Sequence, residues 1–157
     1  MSPRRGYGDE TWRLALARDA AGLRGAADLL FRGDPAGLDY DGHRARAFAF
    51  AVDGRLAEAL DELNEGWTEE WPFPAAYAAD IARVRFLVGD YEHALDALQL
   101  SVCGAERLEP AVAELTPACV RRDKRLWWAG LRVALAGGTP WQRLATAAAV
   151  VGARLYD

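Results

Sequence analysis

The fold is decided by two stretches of sequence 35 residues apart, GRLAEALDEL at residues 54–63 and GDYEHALDAL at residues 89–98. When the two are aligned, the glycine, one alanine, the aspartate and two leucines coincide. A glycine allows a tight turn between antiparallel helices, the alanine lets the helices approach closely, and the leucines fill the space between hairpins. The repeat therefore predicts stacked helical hairpins and specifies no catalytic group.

Helical periodicity continues over most of the chain, and no segment shows the apolar–polar alternation of a half-buried β-strand. Residues 9–21 and 23–32 are predicted to form a helix pair hinged at Gly22. Two further helix starts are predicted at the Thr-Pro pairs 116–117 and 139–140, where a hydroxyl can cap the helix and proline can occupy its first turn. We therefore expect an all-α chain of about eight helices.

The two aligned stretches resemble the tetratricopeptide repeat family, whose helix-turn-helix units of about 34 residues stack into a solenoid. The match departs from the family at His43 and Ala78, which stand where a large aromatic is usual. The resemblance implies a short α-solenoid and a single domain over residues 1–157. The expected parts are a flexible start at 1–8, an atypical hairpin at 9–32, two repeat units at 40–109 and further helices at 110–157.

The family binds its ligands on the concave face formed by the first helix of each hairpin. The matching positions in this chain are Arg44, Phe48, Arg83 and Phe86. Two arginines among aromatic rings suit an acidic peptide or a C-terminal carboxylate. The resemblance therefore implies a non-catalytic scaffold for a protein or peptide partner rather than an enzyme.

The sequence contains no recognisable signature of catalysis or cofactor binding. His43 and His93 are 50 residues apart and have no second His or Cys at metal-ligand spacing, so no metal site is predicted. Cys103 and Cys119 are expected to be free structural thiols. No glycine-rich phosphate loop follows a predicted strand, and no nucleotide cofactor is expected.

Composition and hydropathy narrow the class of protein further. The longest uncharged runs have ten residues, whereas a membrane-spanning helix needs about 20. No secretory signal pattern is recognisable at the start of the chain, which favours a cytoplasmic protein. Arginine outnumbers lysine 18 to one, a bias that favours a GC-rich bacterial genome.

Charge is segregated along the chain, with a net charge of −10 in residues 47–114 and of +5 in residues 115–157. If residues 117–136 form one helix, a rotation of about 100° per residue leaves Trp128 on a basic face. That face consists of Arg121, Arg125, Trp128 and Arg132. Trp128 then packs over the arginine stems, is buried by the C-terminal helix, or contacts a partner.

The basic C-terminal third supports an alternative function, a nucleic-acid-associated or regulatory module. Its expected phosphate contacts are Arg121, Arg122, Lys124, Arg125 and Arg132. The overall net charge of −4 argues against nucleic acid. The basic face also predicts weak, salt-sensitive head-to-tail association with an acidic stripe on another copy of the chain. The acidic stripe consists of Glu58, Asp61, Glu62 and Glu65. A loop that contains Trp67 and Trp71 is a further candidate for partner contact.

Overall fold

The computed structural model describes the backbone of residues 5–33, 40–67, 74–102 and 110–156. Within these ranges the chain forms nine α-helices and one short 3-10 helix, with no β-strand, which confirms the prediction of an all-α protein. The helices group into two compact units, Met1–Pro72 and Phe73–Asp157, where the sequence predicts one domain.

The first unit contains α1 (Arg5–Leu16), α2 (Ala20–Arg32), α3 (Tyr40–Val52) and α4 (Leu56–Gly66). Its central helix is α3, which contacts the other three. The ring of Trp12 on α1 stands edge-on to the ring of Phe48 on α3, with 5.6 Å between the centroids. Leu23 of α2 and Leu63 of α4 are also fully buried, so every helix contributes to one apolar core.

The second unit contains α5 (Pro74–Leu87), α6 (Tyr91–Val102), α7 (Pro110–Arg122), α8 (Trp127–Ala134) and α9 (Pro140–Leu155). A 3-10 turn, Lys124–Leu126, precedes α8. The central helix of the second unit is α7, which contacts α5, α6, α8 and α9. Gly130 lets α8 approach α7 closely, since a Cβ there would lie 2.6 Å from Cγ2 of Val120. At the start of α9, Thr139 and Gln142 form a capping box as the Thr-Pro pair predicts.

The turn between α3 and α4 and the turn between α5 and α6 have the same geometry. Gly54 and Gly89 have φ angles of 77° and 86°, which L side chains rarely adopt. In both turns the glycine N–H donates to the carbonyl three residues earlier, and the next N–H donates to the carbonyl five residues earlier. These two hydrogen bonds define a Schellman motif. The glycine turns predicted from the repeat are therefore confirmed.

A third turn of this type lies 36 residues before Gly54, where the αL position is held by Arg18 with φ 56°. The two Schellman hydrogen bonds are again present, from Arg18 N–H to Ala15 and from Asp19 N–H to Leu14. The hinge predicted at Gly22 is wrong, because the carboxylate of Asp19 caps α2 and accepts the Gly22 N–H at 2.9 Å. The hairpin also begins earlier than predicted, since residues 5–8 are helical. Residues 1–4 lie outside the described ranges.

The predicted single helix over residues 117–136 is also wrong. Helix α7 already begins at Pro110, and Pro117 lies inside it rather than at its start. The chain then breaks at Asp123, whose carboxylate accepts the backbone N–H of Arg125 at 3.1 Å and caps the 3-10 turn. An aspartate side chain that satisfies a nearby N–H offers the backbone an alternative to a continuous helix.

Candidate functional site

The predicted groove residues of the first unit lie in its core. Phe48 is 0% exposed and Arg44 is 7% exposed. The guanidinium of Arg44 lies over the Phe48 ring, 4.7 Å from its centroid, and Trp12 packs against the same ring. These contacts are those of a packed interior. Partner binding by Arg44 and Phe48 stays a prediction, but their burial leaves almost no side-chain surface for a ligand.

The predicted groove residues of the second unit are engaged by side chains of the same unit. Arg83 Nη1 donates to Oδ1 of Asp80 at 2.7 Å, and both side chains are largely buried. Phe86 is buried, stands edge-on to Tyr91 and lies under the guanidinium of Arg122 at 4.8 Å. A shared concave face with the residues of the first unit stays a prediction. Within its own unit, each side chain has a packing role.

The break at Asp123 separates the residues of the predicted basic face. Arg121 belongs to α7, Arg125 to the 3-10 turn and Arg132 to α8. All three are exposed, but Arg125 makes two hydrogen bonds of 3.0 Å to the carboxylate of Asp123. Hydrogen bonding to Arg125 holds the pKa of Asp123 below its ordinary value, and the same contact raises the pKa of Arg125. One charge of the predicted face is thus neutralised locally.

The side chain of Trp128 is exposed and does not pack over an arginine in the described ranges. Trp128 is 67% exposed, and the arginine contact belongs instead to its neighbour Trp127, whose ring lies 4.3 Å from the guanidinium of Arg154. Trp127 packs against the buried cluster formed by Val120, Ala134, Val150 and Ala153. The two tryptophan rings are in edge contact at 4.4 Å. Trp128 is therefore presented outwards on a rigid support.

Helix α9 carries an exposed apolar stripe that the sequence analysis missed. Its buried side packs on α7 and α8 through Thr146, Val150 and Ala153. The opposite side is also apolar and is exposed; this α9 stripe consists of Trp141, Leu144, Ala148, Val151 and Leu155. The signal was present as a spacing of three and four residues, but a second apolar stripe on the same helix shares that period.

A polar cluster joins α3 to α4 in the first unit. His43 Nδ1 lies 2.9 Å from Glu62 Oε1, and Arg46 Nη1 donates to the same oxygen at 3.2 Å. The ring of Phe31 covers His43 edge-on at 5.0 Å, so the imidazole is buried. Glu62 consequently faces α3 and does not belong to the exposed acidic stripe predicted for α4. A carboxylate oxygen of Glu65 lies within 4.8 Å of a ring nitrogen of His43 and of a carboxylate oxygen of Glu62. These three groups are close enough together to hold a metal ion.

The remaining candidate groups have structural roles or lie outside the described ranges. Cys119 is buried in α7, and burial raises the pKa of its thiol to about 12 despite the opposing charge of Arg122. The thiol is therefore protonated at neutral pH. Trp67 is half-buried, whereas Trp71 and Cys103 are not described. No helix in the described ranges has both the length and the apolar character needed to cross a membrane.

Comparison of the chain with family models, with curated proteins and with solved structures found no match. The tetratricopeptide resemblance therefore stays a prediction. It rests on the repeated sequence and on the matching geometry of the turns at Gly54 and Gly89.

Proposed function

We propose that the chain is a non-catalytic helical scaffold that binds a protein or peptide partner through the exposed apolar surface of its second unit. The observation that carries this proposal is the exposure of two tryptophans, Trp128 at 67% and Trp141 at 79%. Tryptophan is enriched among the residues that contribute most to protein–protein binding. The exposed side of α9, which includes Trp141, is apolar, and an exposed apolar face on a folded domain commonly marks an interaction site.

The packing beneath Trp128 favours a role in partner binding. Trp128 extends from α8 beside Trp127, which is anchored on the buried cluster and under Arg154. Lys124 holds the same corner by donating to the C-terminal carbonyl groups of α9, those of Ala153 at 2.7 Å and Arg154 at 3.2 Å. A rigid surface loses little conformational freedom when a partner docks on it.

We retain the tetratricopeptide-like arrangement but place the binding surface on α8 and α9 instead of in the concave groove that the family resemblance implies. The repeated Schellman turns support hairpins of one kind, and the buried alanines Ala59 and Ala94 occupy equivalent positions in them. The burial of Phe48 and Phe86 disfavours the groove that the family resemblance implies. A cytoplasmic location and a bacterial origin remain part of the proposal on composition alone.

The groups that could perform chemistry support a non-catalytic role. His43 is committed to Glu62, and the thiol of Cys119 is buried and protonated. A catalytic nucleophile needs an accessible, ionised or base-activated group, and neither residue fits that requirement.

A nucleic-acid-associated module is the second candidate, favoured by the exposure of Arg121 and Arg132 within the basic C-terminal third. Three observations weaken it. The arginines come from separate elements, Arg125 is paired with Asp123, and the chain as a whole is acidic.

Affinity capture with the full chain as bait separates the two candidates. Wild type and a Trp128→Ala/Trp141→Ala variant are compared in native lysate with and without nuclease, and each recovered protein is then purified and its Kd measured. We expect nuclease-resistant recovery and a Kd at least about tenfold weaker for the variant. Leu29→Ala, at an exposed leucine of the first unit, is the matched control and should leave the Kd unchanged. Equal Kd values for both chains, or recovery abolished by nuclease, would overturn the proposal.

A further inference from the structure

The α9 stripe has the spacing of a helix that packs against another helix. Trp141, Leu144, Ala148, Val151 and Leu155 follow intervals of three, four, three and four residues. This is the a and d spacing of a coiled-coil seam, whereas the buried side of α9 is already used within the chain. We propose that the stripe packs antiparallel against α9 of a second copy, as the occupant of the surface assigned under the proposed function, on which this inference rests.

The stripe and its neighbours are self-complementary in an antiparallel register centred on Ala148. If two α9 helices cross antiparallel with Ala148 at the two-fold axis, large residues face small ones at the two levels next to the axis. Leu144 then faces Gly152 and Val151 faces Ala145, while Trp141 faces Leu155 at both ends. A parallel pairing would instead place each residue opposite its own copy, with Trp141 against Trp141 and gaps at the small residues. The alternation of large and small side chains therefore favours the antiparallel dimer.

Gly152 is compatible with this register. It lies inside α9, where glycine disfavours the helix relative to alanine. A Cβ at this position would have no heavy atom within 4 Å, so packing within the chain does not require glycine. In the antiparallel dimer, by contrast, the side chain of Leu144 from the second copy occupies this space.

The charges of α9 do not oppose the pairing. The α9 stripe contains no charged residue, and both arginines of the helix are engaged in their own unit. Arg143 Nη1 donates to the carbonyl of Gly138 at 2.7 Å, and Arg154 lies over the ring of Trp127. Two copies can therefore pack stripe against stripe without burying a charged side chain.

The size of the stripe predicts a weak dimer. The exposed fractions of its side chains correspond to roughly 500 Å² of apolar surface per copy, in the range of the largest patches found on monomers. Two such surfaces would bury about 1,000 Å², which is the lower limit for a specific interface. We therefore expect a dissociation constant in the micromolar range.

This dimer differs from the head-to-tail association predicted from charge. Glu62 of the acidic stripe is turned towards His43, and Arg125 of the basic face is paired with Asp123, so both charged surfaces are smaller than the sequence implies. An apolar interface changes little with added salt, whereas contacts between exposed charges weaken.

Sedimentation velocity of the full chain over a concentration and salt series tests the dimer. We expect a monomer–dimer equilibrium that is insensitive to salt, and a dissociation constant raised at least about tenfold in Leu144→Glu. The matched control is Leu100→Glu, which places the same charge at an equally exposed leucine of α6. It should dimerise as wild type does. A dimer lost at high salt, or weakened equally by both variants, would overturn the α9 interface.

Two glycine substitutions separate folding from association. Gly152→Ala and Gly25→Ala both add a methyl group in open space within a helix, so each should raise Tm by up to about 2–4 °C. Only Gly152→Ala should weaken the dimer, since Leu144 of the second copy needs that space. If Gly152→Ala dimerises as tightly as wild type, the register is wrong.

Cysteine cross-linking tests the orientation in a Cys103→Ser background. Ala148→Cys should form a disulfide with its own copy under mild oxidation, whereas Leu144→Cys should not. Cross-linking of Leu144→Cys would show a parallel pairing and overturn the antiparallel one.

The experiments distinguish a failure of the dimer from a failure of the proposed scaffold function. A chain that is monomeric at every concentration, but still loses its partner in the Trp128→Ala/Trp141→Ala variant, would refute the dimer and leave the scaffold proposal standing. A monomer whose partner binding is also unaffected would refute both.

Discussion

The α3–α4 pair encloses polar side chains between its helices, whereas the α8–α9 pair exposes large apolar side chains. Between α3 and α4, charged side chains are turned inwards, where Glu62 meets His43 and Arg46. On α8 and α9, large apolar side chains are turned outwards, with Trp128 and Trp141 exposed. Burying charge is tolerated when the partners are fixed, and exposing apolar surface is typical of sites that bind another molecule. The first pair thus encloses its polar contacts, whereas the second exposes apolar surface.

The largest difference in stability is expected between two variants in which an aromatic side chain is replaced by alanine. Phe48→Ala should lower the free energy of unfolding by about 3–5 kcal/mol, because it removes a fully buried ring that contacts Trp12 and Arg44. Trp128→Ala removes a larger ring but should change stability by no more than about 0.5 kcal/mol, since that ring is mostly exposed. Urea unfolding measures both. Similar losses in the two variants would break the comparison between the pairs.

The polar cluster of the first unit should contribute less than the Phe48 ring. Glu62→Ala removes the common acceptor of His43 and Arg46 and should lower the free energy of unfolding by about 1.5–3 kcal/mol. Asp61→Ala, at an exposed position of the same helix, should lie within about 0.5 kcal/mol of wild type. Thermal and urea unfolding of both variants test this. If the two substitutions had equal effects, the pairing of Glu62 would contribute nothing measurable.

Overpacking tests the equivalence of the repeat positions. Ala59→Leu and Ala94→Leu should each lower stability by about 1–3 kcal/mol, because both alanines are fully buried. Ala57→Leu adds the same atoms to an exposed position of α4 and should be nearly neutral. A neutral result at both buried positions, measured by Tm, would contradict the repeat register.

The smallest expected effect is a pH dependence at Asp90. Burial opposes ionisation of Asp90, but hydrogen bonds from His93 and Arg85 outweigh it and lower the pKa below the ordinary 3.8. Because the folded pKa is the lower one, the carboxylate stabilises the fold above about pH 4, and this contribution is lost as the pH falls through the folded pKa.

Asp90→Asn keeps a capping oxygen but removes the charge, so it should be less stable than wild type by about 0.5–1 kcal/mol at neutral pH. That difference should shrink in acid. Asp96→Asn, at an exposed position of the same helix, is the control and should show no such trend. A constant difference across the pH series would contradict the assigned pKa shift.

The elements predicted well were those determined by local chemistry. Gly54 and Gly89 were identified because only glycine readily adopts the positive φ of the turn. Thr139 and Pro140 marked the start of α9, since the hydroxyl and the ring satisfy the first helical turn without tertiary contacts. Arg18 was missed because its αL conformation is not favoured by its own side chain.

The elements predicted poorly depend on which side of a helix the rest of the chain covers. Helix α3 is buried on most of its circumference, so its periodicity does not show which side faces the rest of the unit, and the ligand-binding role of Arg44 and Phe48 stays a prediction. Helix α9 has two apolar stripes of the same period, and only packing on α7 shows which one is left exposed. The break at Asp123 depends on one side-chain hydrogen bond that competes with helix continuation.

The three Schellman turns have a consequence for folding kinetics. Each joins two helices that are adjacent in sequence, so many native contacts form between residues separated by a short loop. Chains rich in such contacts fold on the microsecond-to-millisecond scale, because little loop entropy is lost before packing begins. Stopped-flow refolding monitored by tryptophan fluorescence should therefore show a main phase that is complete within milliseconds.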